Sequence, residues 1–222
     1  IGTVTEDGKL TAADKPGKGD LTVSCGDLDV KLSVEVREQP FTDTSRHWAR
    51  NYIFELFTKG ILNGSDDGKG NVTYRPEDSM TRQEFTVALM RYLNVNTDKY
   101  AEEELPFDDA DKIAGWAKNA IRAAYKLGYF SGSQDGNRLL ANPTSSINRE
   151  QAMSILARTL NVTGNKKILS QFADAGRVSS WAAEALAAMV DRGIVSGMDG
   201  LLQPQGRVTR AQVAKMLYVM GS

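Results

Sequence analysis

The chain has 222 residues, with 27 Lys and Arg against 28 Asp and Glu and a formal net charge of −1. So balanced a charge sets up no global field that would recruit nucleic acid or an anionic membrane surface, and no apolar run approaches the roughly 18 residues of a membrane-spanning helix. The single cysteine, Cys25, excludes an internal disulfide and a cysteine-based zinc site, and the single histidine, His47, excludes histidine-rich metal sites.

No signal peptide is recognisable, and the chain opens on Ile1 rather than Met, so it is expected to be part of a longer protein. Residues 1–39 form the first segment. Alternating apolar residues such as Val30, Leu32, Val34 and Val36, with turn signals at Asp7-Gly8 and near Gly26-Asp27, predict β-hairpins. Fewer than forty residues are too few for a sandwich, which needs about seven strands.

From residue 40 the pattern changes to helical. Trp48, Tyr52, Ile53, Leu56 and Phe57 mark a first amphipathic stripe, and Gly60 stops it. The loop "ILNGSDDGKGNVTYRPEDSM" is rich in turn formers. A second helix follows with Phe85, Ala88, Leu89 and Leu93, opened by Thr81 as N-cap and Glu84 three residues later, a capping box. Arg82 takes the first helical position, where the helix dipole disfavours a cation by about 0.3–1 kcal/mol.

That misplaced cation recurs. "MTRQEF" at 80–85 returns as "INREQA" at 147–152 and "VTRAQV" at 208–213. Phe41-x-Asp43, Phe107-x-Asp109 and Phe172-x-Asp174 open three units about 65 residues apart. Trp48, Trp116 and Trp181 follow, each before an Ala, then Gly60, Gly128 and Gly193 twelve residues on, and Gly64, Gly132 and Gly197 four later. Pro76, Pro143 and Pro204 each precede the cap by five residues. In the third unit Trp181, Ala185, Leu186, Met189 and Val190 mark the first helix, and Val213, Met216 and Leu217 the second. The units divide the chain at 40–100, 101–165 and 166–222, each a helix, a long loop and a helix. Two helices cannot bury such stripes alone, so the units are expected to pack on one another. The acidic run Glu102–Glu104 reads as a solvated linker face.

With these residues in register, 41–220, about four-fifths of the chain, resemble three tandem surface-layer homology (SLH) repeats. Residues 1–38, through "GTVTEDGKLTA", resemble the trailing part of a bacterial Ig-like (Big) domain. The resemblance implies a mainly α fold: a pseudo-trimeric arrangement of three helix-loop-helix repeats with a central helical bundle, plus a partial N-terminal β segment. It implies a monomer with internal pseudo-threefold symmetry, located outside the cell in a Gram-positive-type wall or S-layer, binding secondary cell-wall polysaccharide non-covalently through a ketal-pyruvylated N-acetylmannosamine residue. No nucleic acid, membrane insertion, cofactor or metal is implied.

By residue-wise match the implied ligand-binding set is Asp43, Trp48, Gly64, Ser65 and Arg82 in the first unit. In the second it is Asp109, Trp116, Gly132, Ser133 and Arg149, and in the third Asp174, Trp181, Gly197 and Arg210. The chemistry is consistent: a guanidinium fork beside free N–H groups at a helix start suits a carboxylate, a Trp face suits a sugar ring, and a loop Asp can accept hydroxyl hydrogens. Alternatives stay open for single residues. The tryptophans could be core, the aspartates could cap a helix or close a turn, and the glycines could serve backbone geometry. Met198 stands where the other units have Ser65 and Ser133, so the three pockets are expected to differ.

The loop after Gly64 lacks the alternating oxygens and terminal Glu of a calcium site, which also weakens a dockerin-like reading. His47 has no recognisable nucleophile or carboxylate pair about it, so catalysis is not expected of this chain. Two other functional readings remain: the tail of a surface enzyme such as a glycosidase, or a protein–protein docking module. The ending Met220-Gly221-Ser222 is expected to be a chain terminus.

Overall fold

A computed structural model describes every residue except 1, 14, 67 and 222. Ser222, where a terminus was expected, and Asp67, in the loop after Gly64, lie outside the described residues. Among the described residues no helix is long and apolar enough to cross a membrane.

The N-terminal segment forms two separate antiparallel hairpins. Strands β1 (Gly2–Val4) and β2 (Leu10–Ala12) pair, as do β3 (Gly17–Cys25) and β4 (Leu28–Val36). The expected turns hold: Gly8 and Gly26 adopt φ of 81° and 62°, the left-handed region open to glycine. Pairing Leu21 with Leu32 and Val23 with Val30 puts the apolar residues of the long hairpin on one face.

The rest is mostly helical. The first unit runs through α1 (Arg50–Thr58), the short pair β5 (Ser65–Asp66) and β6 (Val72–Thr73), and α2 (Arg82–Tyr92). The second has α3 (Gly115–Lys126), β7 (Ser133–Asp135), β8 (Arg138–Leu140) and α4 (Arg149–Leu160); the third has α5 (Ala183–Asp191) and α6 (Arg210–Met220). All three expected capping boxes form, from Thr81, Asn148 and Thr209 to Glu84, Gln151 and Gln212. The stripes are buried: Ile53, Leu56, Phe85, Leu89, Leu186, Met189, Val213 and Leu217 all lie in one core.

The helices pair across units rather than within them. α2 packs on α3, α4 on α5, and α6 returns to α1, where the rings of Tyr52 and Tyr218 lie 5.1 Å apart. The residues just before the caps close a cycle of backbone hydrogen bonds. The N–H of Met80 donates to Val208 O (3.0 Å), that of Val208 to Ile147 O (3.0 Å), and that of Ile147 to Met80 O (2.9 Å).

Candidate functional site

The Phe-x-Asp motif builds the platform. Each Asp carboxylate accepts two backbone N–H groups from the loop of its own unit: Asp43 from Tyr74 and Arg75 (2.9 and 2.7 Å), Asp109 from Ala141 and Asn142 (2.7 and 2.9 Å), and Asp174 from Leu202 and Gln203 (2.8 Å each). The second residue of each pair has positive φ, 57° at Arg75, 48° at Asn142 and 52° at Gln203. These residues carry a Cβ that makes this backbone costly, and two charge-assisted hydrogen bonds hold it.

The Phe of the motif sets the Gly position. A Cβ on Gly64, Gly132 or Gly197 would stand 2.3, 2.6 or 2.6 Å from the ring of Phe41, Phe107 or Phe172. Only a bare backbone passes between the ring and the carbonyl of Thr73, Leu140 or Leu201, and the residue that follows lines an open groove.

Each groove draws on all three units. The first is lined by Asn63, Gly64 and Ser65, by Glu84 and Arg91 of α2, by Trp116 of the second unit and by Arg210 of the third. The second joins Ser131, Gly132 and Ser133, Gln151, Ser154 and Arg158 of α4, Trp181 of the third unit and Arg82 of the first. The third joins Ser196, Gly197 and Met198, Gln212 and Lys215 of α6, Trp48 of the first unit and Arg149 of the second. Their volumes are about 410 Å³ for the second, 360 Å³ for the first and 150 Å³ for the third. The candidate Arg, Trp, Gly and Ser residues are therefore brought together, but not unit by unit.

The tryptophans are not core. Trp48, Trp116 and Trp181 are 55, 61 and 56 % exposed, and Trp48 and Trp181 stand in the turn before their helix rather than within it. The arginines are the reverse. Arg82 is 5 % exposed; its Nε donates to Ala141 O (2.8 Å), and its guanidinium lies over the Phe130 ring at 4.8 Å. Burial pushes that guanidinium down to about 10, opposed by the Asp109 charge. Arg149 is lowered by burial too, against Asp174, and its Nε is buried without a partner. Arg210 donates from Nε to Tyr74 O and from Nη2 to Asn63 O, both at 2.8 Å, and lies over the Tyr74 ring at 4.5 Å.

One expectation is corrected. The helix starts do not present free N–H groups, because neighbouring carbonyls take them. Arg82 and Gln83 donate to Ser145 O and Pro143 O, Arg149 and Glu150 to Gly206 O and Pro204 O, and Arg210 and Ala211 to Asp78 O and Pro76 O, at 2.9 to 3.0 Å. The prolines thus mark where one unit's loop caps another unit's helix. An anion in a groove meets guanidinium donors, not the helix end. The aspartates likewise have both oxygens engaged and line none of these three grooves.

Sequence reasoning missed Arg91 and Arg158. Each stands nine residues after the motif Arg, with Val219 in the third copy. Arg158 Nη1 donates to Ser131 Oγ at 3.0 Å, and Arg91 Nη1 reaches the Asn63 side-chain oxygen at 3.1 Å once that amide is oriented to satisfy both its ends. A second arginine at fixed spacing from the first was the signal. His47 pairs with Glu77 at 2.7 Å and takes no part in the grooves. Among the described residues no cluster of His, Cys, Asp or Glu could hold a metal.

Known families match this arrangement in triplicate: the S-layer homology domain matches residues 40–86, 106–153 and 171–214. The chain belongs to the S-layer homology domain family. It is 33 % identical to an amylopullulanase of Thermoanaerobacterium thermosulfurigenes over 82 % of its own length and 9 % of that protein. It is 33 % identical to the exoglucanase XynX of Acetivibrio thermocellus over 80 % of itself and 16 % of the relative, and 30 % identical to the S-layer protein EA1 of Bacillus anthracis over 77 % and 19 %. The chain thus spans less than a fifth of each of these relatives. S-layer homology domains are cell-wall anchoring modules that bind cell-wall polysaccharide and are not themselves catalytic, and the family and its S-layer relatives place the chain outside the cell, at the wall or S-layer.

Proposed function

We propose that this chain anchors a protein non-covalently to the bacterial wall by holding anionic sugars of secondary cell-wall polysaccharide, of the ketal-pyruvylated N-acetylmannosamine kind, in grooves between its units. The observation that supports this reading is the recurrence in each groove of one motif arginine beside one exposed tryptophan and one Gly-containing loop. A guanidinium fork matches a carboxylate bidentately, and an exposed indole offers an apolar face to the C–H side of a pyranose. Ser65 and Ser133 supply hydroxyls for ring oxygens and N-acetyl groups. In this reading the three units, 40–100, 101–165 and 166–222, form a pseudo-trimer around a central helical bundle, the protein acts as a monomer, and residues 1–39 are the trailing part of an Ig-like domain.

The names of the amylopullulanase and exoglucanase relatives support a further reading of the whole protein: that this anchor holds a polysaccharide-degrading enzyme at the surface. The anchor reading is tested by sedimenting the protein with native cell-wall sacculi and with sacculi whose pyruvyl ketals have been removed by mild acid. Retention on the native walls and its loss on the treated ones is expected. Retention that survives the treatment would instead favour a protein–protein docking role.

A further inference from the structure

The residue at the third position of each second helix serves two purposes, as partner of the cap and as groove lining: Glu84 in the first groove, Gln151 in the second and Gln212 in the third. All three close the capping box, so folding does not demand a carboxylate at this place. In the first groove Glu84 Oε2 accepts from the Thr81 N–H and hydroxyl at 2.8 and 2.7 Å, while Oε1 stands 3.9 Å from Nη1 of Arg210. That arginine already gives Nε and Nη2 to Tyr74 O and Asn63 O. An incoming anion must compete with a resident carboxylate for a guanidinium that already serves two carbonyls.

The second groove is the opposite case. Arg82, nine-tenths buried, gives only Nε to a protein acceptor, and neither of its Nη nitrogens has a hydrogen-bond or ion-pair partner among the described residues. Gln151 is neutral, and Arg158 stands where Arg91 stands in the first groove, so it is Glu84 against Gln151, not a second guanidinium, that separates the two. The Asp109 charge supports the Arg82 cation but makes no ion pair with it, and a buried cation short of a direct counterion is costly until an anion joins it. The third groove has Arg149 and Lys215 but little room: Met198 replaces the Ser65 and Ser133 position, Met216 replaces Ala88 and Ile155, and the volume falls to about 150 Å³.

We infer that the capping residue sets the relative affinity of the two roomy grooves for the anionic sugar, so that the Arg82–Arg158 groove binds first and the Arg210 groove binds second because Glu84 opposes the anion, while the narrow Arg149 groove does not admit the sugar. This ranking rests on the carboxylate-sugar reading above. It goes further in naming Glu84 and Gln151 as the residues that grade the sites.

The chain contains three tryptophans, one in each groove, so 5-fluorotryptophan labelling of the intact chain gives one ¹⁹F resonance per groove, assigned by single Trp→Phe variants. The probe is the methyl glycoside of N-acetylmannosamine bearing the pyruvyl ketal, with its carboxylate methyl ester as the uncharged control. Trp181 is expected to titrate at about tenfold lower concentration than Trp116, the size of effect a carboxylate within about 4 Å of the binding cation produces in a partly solvated site, and Trp48 is expected not to move. Glu84→Gln should bring the Trp116 midpoint close to that of Trp181, and Gln151→Glu should move the Trp181 midpoint up by a similar factor. Coincident Trp116 and Trp181 curves in the unaltered chain, or a Trp116 curve indifferent to Glu84→Gln, would overturn the ranking alone. If the methyl ester shifts the resonances as well as the acid, or the acid shifts none, the carboxylate-sugar reading falls and the ranking with it.

Discussion

Arg82 shows how a residue that is poorly placed for its own helix can be well placed for a neighbour. Its guanidinium is pulled away from solvent to the Ala141 carbonyl and the Phe130 ring of the second unit, and burial lowers it to about 10. A base lowered in this way carries the full cost of its buried charge at every pH below about 10 and sheds it only as pH rises from there toward the higher value of the unfolded chain. The groove therefore presents the same cation throughout the neutral range. Arg158 lines the same groove, and the only histidine faces Glu77, outside the grooves. Binding of a sugar carboxylate should accordingly be flat between pH 6 and 9. It should weaken only where the ketal carboxyl itself protonates, near an α-carboxyl value of about 3.3–3.7. Wall-sedimentation across that range checks this; a midpoint near 6.5 would point to a histidine-dependent contact that the grooves do not contain.

At the scale of elements, the loop between the two helices of each unit is the precise part, and the motif Phe, the Gly and the Asp are what fix it. Gly132 adopts φ of 72° with the Phe107 ring and Leu140 O where a Cβ would go, at 2.6 and 2.9 Å. Gly132→Ala should cost about 2–3 kcal/mol, from overpacking against a ring and a carbonyl together with the left-handed backbone. Gly115→Ala, in the first turn of α3 with open space around it, should be neutral or stabilise by up to about 1 kcal/mol. Urea unfolding of the two variants separates a packed glycine from an idle one. The local signals in this region were readable from sequence: the capping boxes, the glycine stops and both hairpin turns depend on residues within a few positions of one another. The Asp roles were not readable, because their N–H partners lie about thirty residues away along the chain. Nor could the pattern reveal that Pro143, Pro204 and Pro76 lend carbonyls to the helix starts of another unit. Helical spacing placed the tryptophans on an apolar stripe, yet a turn before the helix carries Trp48 and Trp181 out to the surface.

At the scale of the molecule, the repeat was legible as a register but the sites were not, since sequence order groups Arg210 with Trp181 whereas the fold groups Arg210 with Trp116. The cause is the pairing of each second helix with the next unit's first helix, closed by α6 against α1 and by the hydrogen-bond cycle through Met80, Ile147 and Val208. This rearrangement makes a pair of double variants decisive in the full-length chain. Arg210→Ala with Trp181→Ala removes residues of a single unit but damages the first and second grooves. Arg210→Ala with Trp116→Ala removes residues of two units but damages only the first. If each unit held its own sugar, the first combination would be the milder. The geometry reverses that order: retention on native sacculi should fall steeply for Arg210→Ala/Trp181→Ala and remain substantial for Arg210→Ala/Trp116→Ala, because the Arg82–Arg158 groove is untouched there. The tryptophans are more than half exposed, so their removal costs little packing. Helical circular dichroism of both variants, expected to match the parent, guards against reading a folding defect as a binding loss. Equal retention by the two variants, or the opposite order, would show that the grooves do not work as units assembled across the repeats.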